Sequence, residues 1–244
     1  MPHTPSDHSN VINLFTGKSV DEDTQKQVTH ICPEPNGIRM LYSNPRKPDR
    51  LIAIPVLCWG LRLDGEVVGL VPWLNEVADC TRIDEHVGVT WEGYYWEGDN
   101  TIFFEAPELV IAQLSAAARF APCDGNTALA YSDEYPTCDG EDYVDILQEI
   151  PDQVGTHALI VNDDDETLTL TPVLSWALDS NGQLHGMLVD EKQAQQSPVI
   201  PGDECLYSAD LEHNFRCYFQ RDIAHQIQAE NPETLAAIEQ MLSL

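Results

Sequence analysis

A duplicated segment constrains the fold of this chain more than any other feature. Residues 54–71, IPVLCWGLRLDGEVVGLV, return as residues 171–188, TPVLSWALDSNGQLHGML, at a constant spacing of 117 residues without a gap. Identical residues occupy seven of the sixteen positions that begin at Pro55, and one such pair is Trp59 and Trp176. Average composition gives about one match in a window of that size, so we interpret the similarity as an internal duplication.

Both copies have the pattern of a β-hairpin. Gly65 and Gly182 complete Asp-Gly and Asn-Gly dipeptides between apolar segments, and these dipeptides favour tight turns with positive φ. Pro55 lies inside the predicted strand of residues 51–61. Because proline cannot donate to a strand ladder, we expect an edge position or a bulge there. Trp59 is expected to cover the core of its hairpin.

The remaining elements predict an α+β fold. Strands are predicted at residues 38–42, 87–95 and 101–104, and Pro107 begins a predicted helix that ends near residue 120. The segments FFEAPELVIAQL and YFQRDIAHQI are similar, which aligns Phe103 with Tyr218. We therefore expect a tandem duplication of a mainly antiparallel β-meander closed by a C-terminal helix. The two repeats are expected to be related by pseudo-two-fold symmetry.

Composition divides the chain into four predicted parts. Residues 1–36 are expected to form a flexible acidic arm, residues 37–120 the first repeat and residues 155–244 the second. Residues 121–154 are predicted to be an acidic linker, because residues 121–153 contain nine Asp or Glu and no Lys or Arg. A short helix is predicted within this linker at residues 141–149.

The N-terminal arm contains one apolar island, the pentapeptide VINLF of residues 11–15. Its ending, Leu14-Phe15, resembles the pentapeptide by which bacterial proteins bind the DNA-polymerase sliding clamp, with Val11 standing where that motif has Gln. The residues expected to contact a partner are Val11, Ile12, Leu14 and Phe15. The alternative is that the island folds back onto the surface of its own chain.

The charge of the chain restricts its partners. Asp and Glu number 41 against 12 Lys and Arg, which gives a formal net charge of −29. A field of this sign repels nucleic acid and anionic membranes and favours a basic protein partner. The first thirty residues show no signal-peptide pattern, and the seven cysteines are an odd number without a C-x-x-C pair. We expect a soluble cytoplasmic protein with reduced thiols.

Equivalent turns of the two repeats carry opposite charges. The duplication aligns Asp163 and Asp164, which Asp165 follows, with Arg46 and Lys47. Complementary turns of this kind direct the register of an association. They predict a contact between the two turns, either within one molecule or in a homo-oligomer. The alternative is two solvated loops.

No segment carries a recognisable catalytic, cofactor or metal motif. A G-x-S-x-G turn and a glycine-rich phosphate loop are both missing from the sequence. His213 and His225 with Cys205 and Cys217 lack the spacing of a zinc knuckle. The acidic turn that begins at Asp163 lacks the spacing and the glycine of a calcium loop. We predict no catalytic residue, no cofactor and no metal.

The richest aromatic segment is WEGYYWE at residues 91–97. Aromatic faces beside carboxylates can hold a sugar, or a cationic group by cation–π attraction. Strand alternation places Trp91 and Tyr95 on one face and Tyr94 with Trp96 on the other. At least one of these sets is expected in the core, and Trp91, Tyr94 and Trp96 are our candidates for partner contacts.

These observations favour a non-enzymatic, acidic protein-interaction or regulatory protein of the cytosol that binds a basic protein. One alternative is a DNA mimic that occupies the site of a nucleic-acid-binding protein. Another is an enzyme or small-ligand binder with its site between the two repeats. A pull-down from lysate at low and high salt separates these alternatives. Recovery of basic nucleic-acid-binding proteins that is lost at high salt supports the mimic, a single partner retained at high salt supports the interaction protein, and recovery of no partner favours the enzyme.

Overall fold

The computed structural model describes residues 25–43, 51–73, 75–81, 83, 90–120, 145–162, 167–189, 206–212 and 214–220. The strands of the first half are β1 (Val28–Pro33), β2 (Arg39–Ser43), β3 (Leu51–Pro55), β4 (Cys58–Arg62), β5 (Val67–Trp73), β6 (Glu76–Ala78), β7 (Trp91–Trp96) and β8 (Thr101–Phe103). The helix α1 (Glu108–Phe120) follows them. The second half contains β9 (Ile146–Pro151), β10 (Thr156–Asn162), β11 (Thr167–Pro172), β12 (Ser175–Asp179), β13 (Leu184–Val189), β14 (Leu206–Ser208), a 3-10 turn (Ala209–Leu211) and β15 (Phe215–Gln220).

The strands form four small antiparallel sheets that are arranged like the blades of a four-bladed propeller. In the first half the sheet orders are β1-β4-β5-β6 and β3-β2-β7-β8. In the second half they are β9-β12-β13-β14 and β11-β10-β15. The same connectivity therefore occurs in both halves of the chain.

The predicted α+β class, with a β-meander closed by a C-terminal helix, is wrong. The protein is mainly β, and the chain passes back and forth between two sheets in each half. The hairpin β2–β3 leaves the sheet of β1, and β4 then returns to pair with β1. In a meander, by contrast, each strand pairs with the next one along the chain.

The crossing between sheets occurs at the repeated Pro-Val-Leu. Pro55 ends β3 at the edge of its sheet, which confirms the expected edge position. The backbone N–H of Val56 still donates to the carbonyl of Ile38 at 2.9 Å, whereas that of Leu57 donates to Leu70 in the other sheet at 2.8 Å. The equivalent bonds of the second half join Val173 to Thr156 and Leu174 to Met187, each at 2.9 Å. The predicted single strand over residues 51–61 is therefore two strands in two sheets.

In each half, a buried tryptophan donates its indole N–H to a carboxylate. The side chains of Trp59 and Trp176 are fully buried. The indole N–H of Trp59 donates to Glu34 Oε2 at 2.5 Å, and that of Trp176 donates to Asp152 Oδ1 at 2.9 Å. Because a buried indole N–H needs a partner, these carboxylates allow both tryptophans to occupy the core.

A tyrosine closes each hairpin in the same way. The hydroxyl of Tyr94 accepts the backbone N–H of Gly69 at 2.8 Å, and that of Tyr218 accepts the N–H of Gly186 at 2.9 Å. Each tyrosine ring lies 4.8 Å, centroid to centroid, from the tryptophan of its own half. Tyr218 is therefore the counterpart of Tyr94, and the predicted alignment of Tyr218 with Phe103 is wrong.

The two halves share a core. One cluster of buried side chains draws Ile31, Val68 and Leu70 from the first half and Ile150, Trp176 and Leu188 from the second. β1 also packs against β9, where the N–H of Ile31 donates to Gln148 Oε1 at 2.7 Å. A second cluster, around Met40 and Trp59, lies within the first half.

Several predicted boundaries differ from the observed elements. β1 lies inside the segment predicted as a flexible arm, and β9 lies inside the predicted acidic linker. The helix predicted at residues 141–149 is wrong where it can be compared, because residues 146–149 belong to β9. α1 is observed where a helix was predicted, and it packs against β1 and β4. The predicted C-terminal helix of the second repeat lies outside the described residues.

Candidate ligand-binding groove

The hairpin β7–β8 carries the candidate site. Trp96 and Thr101 are paired across the end of this hairpin, and residues 97–100 form its loop. Asp99 Oδ1 accepts the backbone N–H of Thr101 at 3.2 Å and also the Thr101 hydroxyl. Asn100 has a φ of +56° and accepts the Tyr95 hydroxyl at 3.0 Å. These bonds fix the loop and hold the Asp99 carboxylate beside Trp96.

A groove of about 440 Å³ lies between this hairpin and the start of α1. Its apolar lining includes Ile38, Phe103 and Ala106, and its polar lining includes Asn36, Asp99, Thr101, Glu105 and Glu108, with Trp96 as the large aromatic side chain. Trp96 is 37% exposed, although it belongs to a strand. The volume is within the range of small-molecule sites.

The groove has a negative electrostatic character. Asp99, Glu105 and Glu108 line it, and none of the described residues of its lining is Lys, Arg or His. Within the described residues, the side chains of Glu105 and Glu108 make no hydrogen bond or ion pair with other residues, so their charges are available to a ligand. The free N–H groups of the first turn of α1 are equivalent to a positive charge of only about 0.5 elementary charge, which offsets a small part of this negative charge. The groove therefore attracts cations.

Exposed apolar side chains adjoin the groove residues along the chain. Phe104 is 64% exposed and Leu109 is 80% exposed, and Ile102 is also exposed. These residues alternate along the chain with Phe103, Glu105 and Glu108 of the groove. Exposed apolar groups beside a concave polar site are typical of surfaces that contact other proteins.

The described residues at the equivalent position of the second half are buried. The pairing of β10 with β15 places Thr156 and Gln220 where the first half has Ile38 and Trp96. Thr156 is 1% exposed and Gln220 is 4% exposed. Their side-chain polar atoms have no hydrogen-bond partner in the part of the chain that the structure describes. The duplication has therefore kept the scaffold while the two halves differ at this site.

The structure describes only some of the predicted partner residues. Val11, Ile12, Leu14 and Phe15 of the arm lie outside the described residues, and so do the turn residues Arg46, Lys47, Asp163, Asp164 and Asp165. Contact between the two turns therefore stays a prediction. Among the three aromatic candidates, Trp96 lines the groove, whereas Tyr94 is buried.

A bulge changes the predicted alternation along β7. Tyr42 pairs with Trp91 and Leu41 pairs with Gly93, so Glu92 is an extra residue. Gly93 has a φ of +111°. The bulge brings the ring of Trp91 to 5.2 Å from that of Tyr94, against the core. The alternation that placed Trp91 and Tyr94 on opposite faces is therefore wrong.

A second polar cluster lies at the end of β12. Asp179 is buried and lies 3.1 Å from Nε2 of His185, whose Nδ1 lies 2.5 Å from Asp210. Burial alone lowers the pKa of His185, but the hydrogen bonds to Asp179 and Asp210 outweigh it and raise the pKa to about 9. Burial raises the pKa of Asp179, and the hydrogen bonds from His185 and from the backbone N–H of Gln183 outweigh it, so the pKa is lowered. The first half has the buried Arg62 in place of Asp179, bound to Asp79.

His185 and the buried cysteines are engaged in structural contacts. Both ring nitrogens of His185 face carboxylates, so the imidazolium stabilises a buried acid and lacks a free nitrogen for proton transfer. Burial raises the pKa of Cys32 to about 11 and that of Cys58 well above its usual range. Buried thiols that stay protonated are poor nucleophiles. Among the described residues, the groove around Trp96 combines an open concave surface with carboxylates that make no ion pair.

Sequence reasoning selected Trp96 but missed the other groove residues. Asp99, Glu105 and Glu108 are spread over a turn, a connection and a helix start, and no spacing rule joins them. One signal in the sequence could have indicated an acidic site. Acidic residues follow the aromatic strand closely, and residues 91–118 contain no Lys or Arg.

Comparisons of the chain with protein-family models, with curated proteins and with solved structures find no match. In the part of the chain that the structure describes, no three or more His, Cys, Asp or Glu residues are grouped so that they could hold a metal ion. No helix of these same residues is long and apolar enough to cross a membrane.

Proposed function

We propose that this protein is a non-enzymatic interaction protein that binds a basic protein partner. The observation that carries the proposal is the groove beside Trp96, which combines three carboxylates with an exposed indole. Interfaces are enriched in aromatic residues at their centre, and complementary charge increases the rate of association.

The charge of the whole chain supports the same function. A formal net charge of −29 on 244 residues creates a strong negative field that draws basic surfaces toward the protein. Binding a basic partner also relieves part of the repulsion between the acidic residues. Such association is sensitive to ionic strength, because the Debye length falls from about 30 Å at 0.01 M salt to about 10 Å at 0.1 M.

Calorimetric titration of the full chain with octa-arginine tests the proposal, with octa-citrulline as the uncharged control. We expect binding of octa-arginine that weakens at least tenfold between about 0.01 M and about 0.1 M salt, and no binding of octa-citrulline. Absence of octa-arginine binding at low salt would show that the proposal is wrong. A basic nucleic-acid-binding protein that releases its DNA when this chain binds would point instead to a DNA mimic.

A further inference from the structure

The loop of the β7–β8 hairpin presents the indole of Trp96 to the groove. Gly98 lies beneath this ring, because a β-carbon built on Gly98 would lie 2.9 Å from Cε2 and from Nε1 of Trp96. The ring is thus supported by the loop backbone on one side, and its exposed part lines the groove. A supported aromatic face is a binding surface for a cation or a flat group.

The carboxylates around this face are arranged for a ligand with several donors. Asp99 Oδ1 is occupied by Thr101, which orients the carboxylate. Glu105 and Glu108, which lie on the connection to α1 and on its first turn, make no ion pair within the described residues. The groove therefore offers acceptors from two elements next to one aromatic face.

A guanidinium group satisfies this arrangement best. It is planar, it stacks on an aromatic face, and its five N–H donors pair with carboxylates in fixed directions. A lysine ammonium is a compact, strongly hydrated charge that gains less from stacking. A methylated lysine needs an aromatic cage, and the aromatic lining here is Trp96 and Phe103. A sugar would leave the three negative charges without a counter-charge.

The N-terminus of α1 carries a partial positive charge that would favour an anionic ligand. Its partial charge is about +0.5, and it falls off within the first turn. Glu108, in that first turn, and the neighbouring Glu105 and Asp99 carry full negative charges. The sum of these charges repels an anion and retains a cation.

From this geometry we infer that the groove binds an arginine side chain of the partner, stacked on Trp96 and paired with the surrounding carboxylates. The inference deepens the proposed function and rests on it. The exposed Phe104 and Leu109 lie on either side of Glu105 in the chain, so the partner segment is expected to carry an apolar residue next to the arginine.

The experiment is an NMR titration of the full 15N-labelled chain with the peptide acetyl-Gly-Leu-Arg-Leu-Gly-amide. The indole N–H signal of Trp96 is identified by its loss in Trp96→Phe. We expect this signal and the amide signal of Thr101 to shift and saturate. Replacement of arginine by lysine should weaken binding about threefold, and replacement by citrulline should weaken it at least tenfold.

Matched variants test the carboxylates. Glu105→Gln should weaken binding of the arginine peptide about fivefold, whereas Asp145→Asn removes the same charge from an exposed position in the second half and should leave the affinity unchanged. Trp96→Ala should weaken binding about fivefold, because it removes the stacking face. Folding of each variant is checked by its remaining amide signals.

Two sets of results would overturn the inference. The first is equal affinity for the arginine and citrulline peptides, or for Glu105→Gln and the unmodified chain. The second is a saturating shift of Trp96 with cellobiose and none with the arginine peptide. If octa-arginine binds in a salt-dependent way while the arginine peptide leaves Trp96 unchanged, the groove assignment fails and the proposed function stands. If octa-arginine does not bind, the proposed function itself fails.

Discussion

The turn glycines of the two equivalent hairpins provide a matched test of how the halves pack. Gly65 and Gly182 occupy the same place after β4 and β12, with φ values of +90° and +79°. Gly65 has open space around the position of a β-carbon, whereas a β-carbon on Gly182 would lie 2.3 Å from Gln27 Cγ and 2.7 Å from the carbonyl oxygen of Val28. The turn at Gly182 therefore touches the backbone of the other half.

Replacement of each glycine by alanine separates strain from packing. An alanine in the left-handed region costs about 1–2 kcal/mol of stability in either turn. At Gly182 the new methyl group also meets a backbone atom of β1, which cannot move aside as a side-chain tip can, and overpacking of this kind costs about 1–3 kcal/mol more. We expect a loss of about 1–2 kcal/mol for Gly65→Ala and about 2–5 kcal/mol for Gly182→Ala.

Urea unfolding followed by tryptophan fluorescence measures both losses, and the slopes of the transitions show whether the two-state assumption holds. Gly155→Ala is the control, because Gly155 has a φ of +72° and no atom within 4 Å of a β-carbon. It should behave like Gly65→Ala. Equal losses for all three variants, within about 0.5 kcal/mol, would refute the packing of this turn against β1.

The other predictions concern the duplicated cores and the histidine cluster. Trp59→Ala and Trp176→Ala should each lower the free energy of unfolding by about 3–5 kcal/mol in urea titrations, because both side chains are fully buried. Tyr94→Phe and Tyr218→Phe should each lower it by about 1–3 kcal/mol, since each leaves a buried backbone N–H without its acceptor; a difference above about 2 kcal/mol between the two would contradict their equivalence. The protonated His185 stabilises the fold fully below its unfolded pKa of 6.5, and this contribution is lost as the pH rises through about 9. The stability difference between the unmodified chain and His185→Gln should thus be about 3 kcal/mol larger at pH 6 than at pH 10, and a pH-independent difference would contradict the cluster.

Local features of the fold could be predicted from the sequence. The Asp-Gly and Asn-Gly dipeptides predict tight turns, and Gly65 and Gly182 have the positive φ expected of them. The expected second positive φ in each turn is wrong, because Asp64 and Asn181 are not among the residues with positive φ. The burial of Trp59 follows from the apolar alternation around it. These features depend on residues within one hairpin, so the order of residues along the chain contains the necessary information.

The sheet topology could not be predicted in the same way. A proline in an apolar run indicates an edge or a bulge, and it does not say that the next strand belongs to another sheet. That outcome depends on the acceptors for Val56 and Leu57, which are Ile38, directly before β2, and Leu70 of β5 in the other sheet. Non-local hydrogen bonds of this kind also determine that Tyr218 is the counterpart of Tyr94.

The groove also depends on non-local contacts that the sequence pattern does not reveal. Trp96 was visible in the sequence as part of an aromatic strand, but strand periodicity alone could not show that the hairpin end leaves it 37% exposed. The bulge at Glu92 moved Trp91 into the core, and only the pairing with β2 reveals that bulge. The acidic lining is assembled from a loop, a connection and a helix start, so it exists only in three dimensions.

The most direct test of the central claim is a measurement of nuclear Overhauser effects between bound arginine and the protein. We predict contacts between the Cδ protons of the peptide arginine and the ring protons of Trp96, together with weaker binding of the peptide by Trp96→Phe. Contacts from the arginine to another part of the surface, with none to Trp96, would contradict the account.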